Sequence, residues 1–374
     1  MLNRRETFKL FASGMTAGIV GATGMSTFAG TENGNENGNA EKPLPDFPVE
    51  KDAWTMVVIP DPQSYVKYGR NQGILELMTA WIAENVEKYR IKQVLVTGDL
   101  VEQNNMGVGQ YNQTSKQMWE AVSRAFTRLD GVIPYIVCTG NHDYGIRSAE
   151  NRETQLNTYF PVEKNPLWKD TLVEMGVNTF GQKTLENAAY EFTTPAGQKM
   201  LTISLPFAPP DESLAWAREL AARKCYENHF VTVLTHSYID GTGKRREKEG
   251  YQLNKMGGNA GEGIWQKFVK QSPNVKLVVS GHFSGTDSWE KSAAFSLDMN
   301  DAGKPVAQML FDTQALGGGW EGNGGDGWIR LVEFSADMKT MKARTFSPAF
   351  HAFPGLRAQA WERSERNQFT YHFE

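Results

Sequence analysis

Gly140-Asn141-His142-Asp143 follows the apolar, β-branched run Val132-Ile133-Pro134-Tyr135-Ile136-Val137. The run reads as a buried strand, so the four residues fall where a strand ends and a loop begins. In open α/β sheets, ligands gather at that edge. Asn141 offers a carbonyl oxygen, and the His142 imidazole changes protonation near neutral pH. A Gly-Asn pair is equally ordinary turn chemistry, so the meaning of the stretch rests on the other strand ends.

Four further apolar runs end in the same way. Val57-Val58-Ile59 leads to Asp61-Pro62-Gln63, and Val94-Leu95-Val96-Thr97 leads to Gly98-Asp99-Leu100-Val101-Glu102. Val231-Thr232-Val233-Leu234 leads to Thr235-His236, and Leu277-Val278-Val279 leads to Gly281-His282-Phe283-Ser284. Three of the six histidines therefore come just after buried strands. A single histidine so placed is ordinarily a structural or loop residue; repetition along one sheet edge points to a shared site. A mixed Asp, Asn and His donor set suits Mn, Fe or Zn better than a thiolate zinc centre does.

Between these runs lie helical patterns. Strands are predicted over Trp54–Ile59, Gln93–Thr97, Val132–Thr139, Phe230–Leu234 and Val275–Val279, with a strand pair at Ala189–Thr193 and Lys199–Leu205. Helices are predicted over Gly73–Tyr89, Ser115–Leu129, Gly261–Val269 and Asp211–Arg223, the last opened by Asp211 as N-cap. Ala294–Leu297, Val306–Asp312, Trp328–Phe334 and Met341–Phe346 read as a finishing antiparallel sheet, and the weakly periodic stretch from Tyr144 to Lys183 as an insertion. Such alternation is the mark of a layered α/β fold.

The 374 residues are enough for a sizeable core, and 40% hydrophobic with 22% charged residues suits a globular protein. A net charge of -4 supplies no global basic field, and no nucleic-acid-binding surface is evident. Two cysteines, Cys138 and Cys225, are too few for a disulfide framework. Near the start, Arg4-Arg5 and Phe8-Lys9-Leu10 precede a mildly apolar stretch ending at Thr27-Phe28-Ala29. Residues 1–29 resemble a twin-arginine export signal, 30–50 a solvated linker, and 351–374 a C-terminal extension to a domain over 51–350. The expected location is periplasmic or extracellular, with no permanent membrane span; an uncleaved signal would leave the chain tethered.

The ordered motifs, from Trp54 to about Pro348, resemble a calcineurin-like metallophosphoesterase. That family's pattern is Asp-x-His, Gly-Asp-x-x-Asp/Glu, Gly-Asn-His-Asp/Glu, a lone His, then Gly-His-x-His. The resemblance implies a four-layer αββα sandwich of two mixed sheets flanked by helices. It also implies a phosphoester hydrolase using a metal-activated water and one or two divalent or trivalent ions (Mn, Fe or Zn). Asp61 would hold the first metal, Asp99 would bridge, and Asn141, His236 and His282 would complete the second. His142 would be the catalytic acid or transition-state stabiliser, oriented by Glu102. Tyr65, Asn104 and Tyr144, close behind the motifs, are candidate substrate contacts.

Two positions depart from the pattern, and both bear on the first metal. Gln63 stands for one His and Ser284 for another. Amide and hydroxyl oxygens are weaker donors than imidazole, so the site is expected to be asymmetric, with a tight second metal and a more oxygen-rich first one. Gln63 remains a usable ligand, Ser284 a poorer one. The alternative is a degenerate binding module that keeps the fold and one metal without catalysis. The chain has no Gly-x-Ser-x-Gly and no His-Glu-x-x-His, which removes two other hydrolase classes. Monoester and diester substrates both stay open, because specificity on a shared fold lies in its loops.

Overall fold

The computed structural model describes residues 50–108 and 111–373, so the export signal and nearly all of the linker lie outside the described residues. The first sheet contains β1 (Trp54–Ile59), β2 (Ile91–Val96), β3 (Tyr135–Val137), β11 (Ile329–Phe334), β12 (Thr340–Phe346), β13 (Trp361–Glu362) and β14 (Gln368–His372). Its order is β13-β12-β11-β1-β2-β3, with β14 also on β12. The second sheet contains β4 (Leu172–Val177), β5 (Lys183–Thr193), β6 (Lys199–Ser204), β7 (Phe230–Leu234), β8 (Val275–Ser280), β9 (Ala293–Met299) and β10 (Pro305–Phe311), ordered β4-β5-β6-β7-β8-β10-β9. β1, β2 and β3 run parallel, as do β6, β7, β8 and β10.

Period-two side-chain alternation builds the layers. Along β10, Ala307, Met309 and Phe311 enter the central core, whereas Val306 and Leu310 enter a second core. That second core is closed by helices Asp211–Ala221 and Gly261–Lys267, through Leu214, Ala217, Leu220, Ile264 and Trp265. Helices Gln72–Asn85 and Ser115–Phe126 pack with the first sheet through Leu75, Met78, Ile82, Met118 and Val122. Strands apolar on both faces read as continuous runs because both faces are covered. Polar ties also cross between the sheets: Thr202 Oγ1 donates to Gln93 Oε1 at 3.1 Å, and Ser204 Oγ to the Val137 carbonyl at 2.9 Å. The expected sandwich of two mixed sheets flanked by helices is the fold observed.

Several local expectations need correction. The four late strands do not form one antiparallel sheet: β9 and β10 join the second sheet, with β10 parallel to β8, while β11 and β12 join the first. Alternation reveals which face is buried but not which neighbour a strand takes. The predicted strand over 132–139 shortens to Tyr135–Val137, since Pro134 has no N–H for the ladder. Asp211 is not the N-cap; Pro210 is, and Asp211 sits in the first turn, accepting from Asn259 Nδ2 at 2.8 Å and Lys267 Nζ at 2.6 Å. The stretch 144–183 is no simple insertion, because it supplies edge strand β4 and the buried Leu156, Phe160 and Trp168. Residues 351–374 supply β13 and β14 to β12. Cys138 is buried, Cys225 exposed, and both are free thiols.

The C-terminal strand also serves a buried cation. Arg330 is wholly buried, its ring of partners being Thr345 Oγ1 (3.2 Å), the Arg366 carbonyl (3.1 Å) and Asn367 Oδ1 (2.6 Å), with Phe311 4.3 Å away under the guanidinium. Burial pulls its pKa down to about 9. Asn367→Leu should therefore destabilise the fold by about 1.5–3 kcal/mol, the usual cost of losing a hydrogen bond to a charged group. Arg330→Met should cost less than Asn367→Leu, because it leaves neutral acceptors unpaired and no under-paired buried charge. Equilibrium denaturant midpoints of the two variants check the order.

Candidate metal centre

The ends of β1, β2, β3, β7 and β8 bring their turns together over one edge of the sandwich. Two motif glycines are required by the closeness of that meeting. A Cβ on Gly140 would lie 2.1 Å from Asp99 Oδ1, and one on Gly281 would lie 2.1 Å from Asp61 Oδ1. Asp99 (φ +48°) and His282 (φ +72°) both hold left-handed backbone, an arrangement non-glycine residues adopt at a cost and mostly at functional sites.

His236 is the hub. Its Nδ1 lies 2.7 Å from the Thr97 carbonyl, which fixes the proton there and leaves Nε2 as a lone-pair donor. That Nε2 lies 3.0 Å from Asn141 Oδ1, 3.0 Å from His282 Nδ1 and 3.3 Å from Asp99 Oδ2. Donor atoms of Asp99, His236 and His282 all lie within 4.8 Å of one another. Two imidazole nitrogens, an amide oxygen and a carboxylate converge in this way, and a cation fits the set.

Charge points the same way. Burial raises Asp61 to about 7, His236 pulling it down and Asp99 pushing it up. Burial also acts to raise Asp99, but His236 and His142 outweigh it and bring Asp99 to about 2. For His236, burial disfavours the cation, yet Asp99 and Asp61 lift it to about 10. Burial and then Asp61 drive Asp312 well above the carboxylate range. Among the described residues, no lysine or arginine forms an ion pair with Asp61, Asp99 or Asp312.

Of the sequence-predicted residues, Asp61, Asp99, Asn141, His236 and His282 are brought together. Asp61 Oδ2 accepts the His282 N–H at 2.8 Å, and its Oδ1 accepts Thr97 Oγ1 at 2.5 Å. His142 adjoins them, its N–H donating to Asp99 Oδ1 at 2.8 Å. Glu102 does orient His142, but through its backbone carbonyl, 2.7 Å from Nδ1; the carboxylate instead accepts Tyr111 OH at 3.0 Å and faces Lys67 at 3.6 Å. Gln63 is buried beside Gln314, to which its Nε2 donates. Ser284 Oγ turns to Ser292 Oγ (3.0 Å) and the Asp312 carbonyl (3.2 Å).

The three substrate candidates are all buried. Tyr65 is buried and its hydroxyl accepts the Gly327 N–H at 3.1 Å. Asn104 is buried, its amide bonding Gly145 O at 2.6 Å and Glu153 O at 3.1 Å, and its carbonyl accepting the Gln155 N–H at 3.0 Å. Tyr144 is buried, donating to Glu186 Oε2 at 2.7 Å. All three brace loops beneath the site. Sequence reasoning missed Glu249, whose Oε2 lies 3.1 Å from His282 Nε2, as well as Asp312 and Gln314. Asp312 follows the apolar Met309-Leu310-Phe311 and so carried the same strand-end signal; Glu249, in a basic loop, carried none.

The calcineurin-like phosphoesterase family matches residues 55–283, more than half of the chain, and the protein belongs to that family. The uncharacterized protein YvnB of Bacillus subtilis (strain 168) is 28% identical over 307 residues, which cover 81% of this chain and 20% of YvnB. The chain thus spans about a fifth of the length of that curated relative. Among solved structures, a dimetal phosphatase from Danio rerio superposes with TM-score 0.47 at 11% identity, covering 86% of this chain and 99% of that one. GAP50, the anchor in the inner membrane complex of Plasmodium, gives 0.40 at 12%, covering 87% and 89%.

The charge pattern has a measurable consequence. Without a cation, the raised Asp61 makes unfolding easier as pH climbs from 3.8 to about 7. The raised His236 does the same from 6.5 to about 10, while the depressed Asp99 acts only below 3.8. The chelated protein should therefore melt at falling temperature from about pH 5 to about pH 9, and added Mn²⁺ should stabilise it most at the alkaline end. Thermal unfolding with and without the ion checks this; a metal-free melting temperature that rises across the range would contradict it.

Proposed function

We propose that the protein is an exported, metal-dependent phosphoester hydrolase acting on a phosphomonoester or phosphodiester. The observation that carries the reading is the convergence of Asp99, His236 and His282 donors within 4.8 Å, with His142 on the adjoining turn. Asp61, Asp99, Asn141, His236 and His282 fit one or two ions, and Gln63 supplies a further oxygen. Bound there, Mn, Fe or Zn supplies Lewis acidity toward a phosphoryl oxygen and toward water. The Arg4-Arg5 segment with its apolar sequel supports export.

The chain's own residues set the remaining geometry. The Thr97 carbonyl holds His236 with Nε2 inward, and Glu249 does the same for His282 from its Nε2 side. His142 hydrogen-bonds the Glu102 carbonyl through Nδ1, so Nε2 is the ring nitrogen left to face a substrate. From there it can give a proton to the leaving oxygen or stabilise charge growing on phosphorus-bound oxygens. The Asp99–His142 backbone bond ties this acid to the metal-binding turn.

His142→Ala should lower kcat on an aryl phosphodiester or monoester by about 10²–10⁴ while leaving metal content intact. Asp99→Ala should lose both metal and turnover. Steady-state rates with Mn, Zn or Fe, alongside elemental analysis, test this. A protein that binds metal yet turns over neither ester would be the non-catalytic binding module instead.

A further inference from the structure

Both departures from the family pattern fall on the first metal position, so the groups around Gln63 and Ser284 decide what that position can hold. Ser284 is committed to its loop, where its hydroxyl also accepts the Ala315 N–H at 3.3 Å. Gln63 is not. It is 2% exposed, and its Oε1 has no hydrogen-bond partner. A buried carbonyl left unpaired is costly, so something imposes that orientation.

Asp312, wholly buried at the end of β10, is what imposes it. Its Oδ1 accepts the Gln314 N–H at 2.9 Å and its Oδ2 accepts Gln314 Nε2 at 3.0 Å. Both Asp312 oxygens are taken as acceptors by Gln314, whose NH₂ is therefore turned to Asp312 and whose Oε1 points away. Gln63 meets that Oε1 with its own NH₂, which leaves the Gln63 oxygen at the free end. Reversing any link would present an NH₂ group instead.

We propose that Asp312 and Gln314 form an amide relay that fixes Gln63 as an oxygen donor beside Asp61. The first cation position is then built from oxygens alone (Asp61, Asp99 and Gln63), suited to a hard divalent ion such as Mn²⁺ or Mg²⁺. The second keeps the His236 and His282 nitrogens. Asp312 and Gln314 are positioning residues, and the inference rests on the metallophosphoesterase reading above.

Mn²⁺ titration of the full chain, followed by electron paramagnetic resonance of the free ion with Mg²⁺ as competitor, tests it. Wild type should bind two equivalents, the weaker one displaced by Mg²⁺. Asp312→Asn turns an NH₂ toward Gln314 and so reverses both amides; the weaker equivalent should bind about 10–100-fold less tightly, with the tighter one unchanged. Adding Gln63→Glu should restore it, because a carboxylate presents an oxygen from either end. Gln314→Met breaks the relay independently and should match Asp312→Asn, which covers the case where Asp312→Asn does not fold. Unaltered weak-site binding in Gln314→Met, or no rescue by Gln63→Glu in a folded double variant, overturns the relay alone. A wild type that takes one equivalent overturns the first position, and one that takes none overturns the metallophosphoesterase reading with it.

Discussion

Buried negative charge without a fixed positive partner governs this molecule. Asp61, Asp99 and Asp312 are all wholly or almost wholly buried, and among the described residues only histidine forms an ion pair with any of them. Isolated carboxylates in such surroundings neutralise themselves by taking up protons. Asp61 and Asp312 are raised accordingly, and a framework of main-chain and hydroxyl donors holds all three in place: the His142 and His282 N–H groups, Thr97 Oγ1 and the Gln314 N–H. Hydrogen bonds of that kind fix direction but leave net charge unbalanced. The sandwich provides the rigid strand ends from which these donors project, and the cation of the proposed function would supply the missing charge.

The two halves of the centre are held differently. Around His236, every orienting contact comes from another strand end or its loop: Thr97 after β2, Asn141 after β3, His282 after β8. Around Gln63, orientation passes along side-chain amides to Asp312 on β10. Imidazole nitrogens with carbonyl or carboxylate partners behind them are strong ligands of fixed tautomer. A lone amide oxygen is a weaker and harder donor. The proposed asymmetry of metal affinity would follow from what stands behind each ligand as well as from the ligand itself.

Much of the fold was legible because strands buried on both faces leave uninterrupted apolar runs. Trp54–Ile59 and Phe230–Leu234 are observed with their predicted limits. The motif residues after those runs were legible for the same reason, since a polar residue straight after a buried strand must lie at the sheet edge. Partner choice was not legible. Nothing in the alternation of Val306–Phe311 or Ile329–Phe334 says that one joins β8 and the other β1. The candidates chosen for closeness in sequence, Tyr65, Asn104 and Tyr144, are buried, because a residue a few places beyond a motif can point into the core as readily as toward the cleft. Each spends its polar atoms on neighbouring loops.

Glu102 shows a further limit of reading roles from residue types. Its carboxylate was the natural partner for His142, yet the contact is made by its carbonyl, and the side chain faces Lys67 and Tyr111. A main-chain carbonyl is present at every residue, so sequence cannot mark it. It also differs chemically from a carboxylate: it fixes the direction of the ring without placing a full negative charge beside it. His142 is therefore held in place beside the Asp99 turn with Nε2 turned away from that main-chain contact.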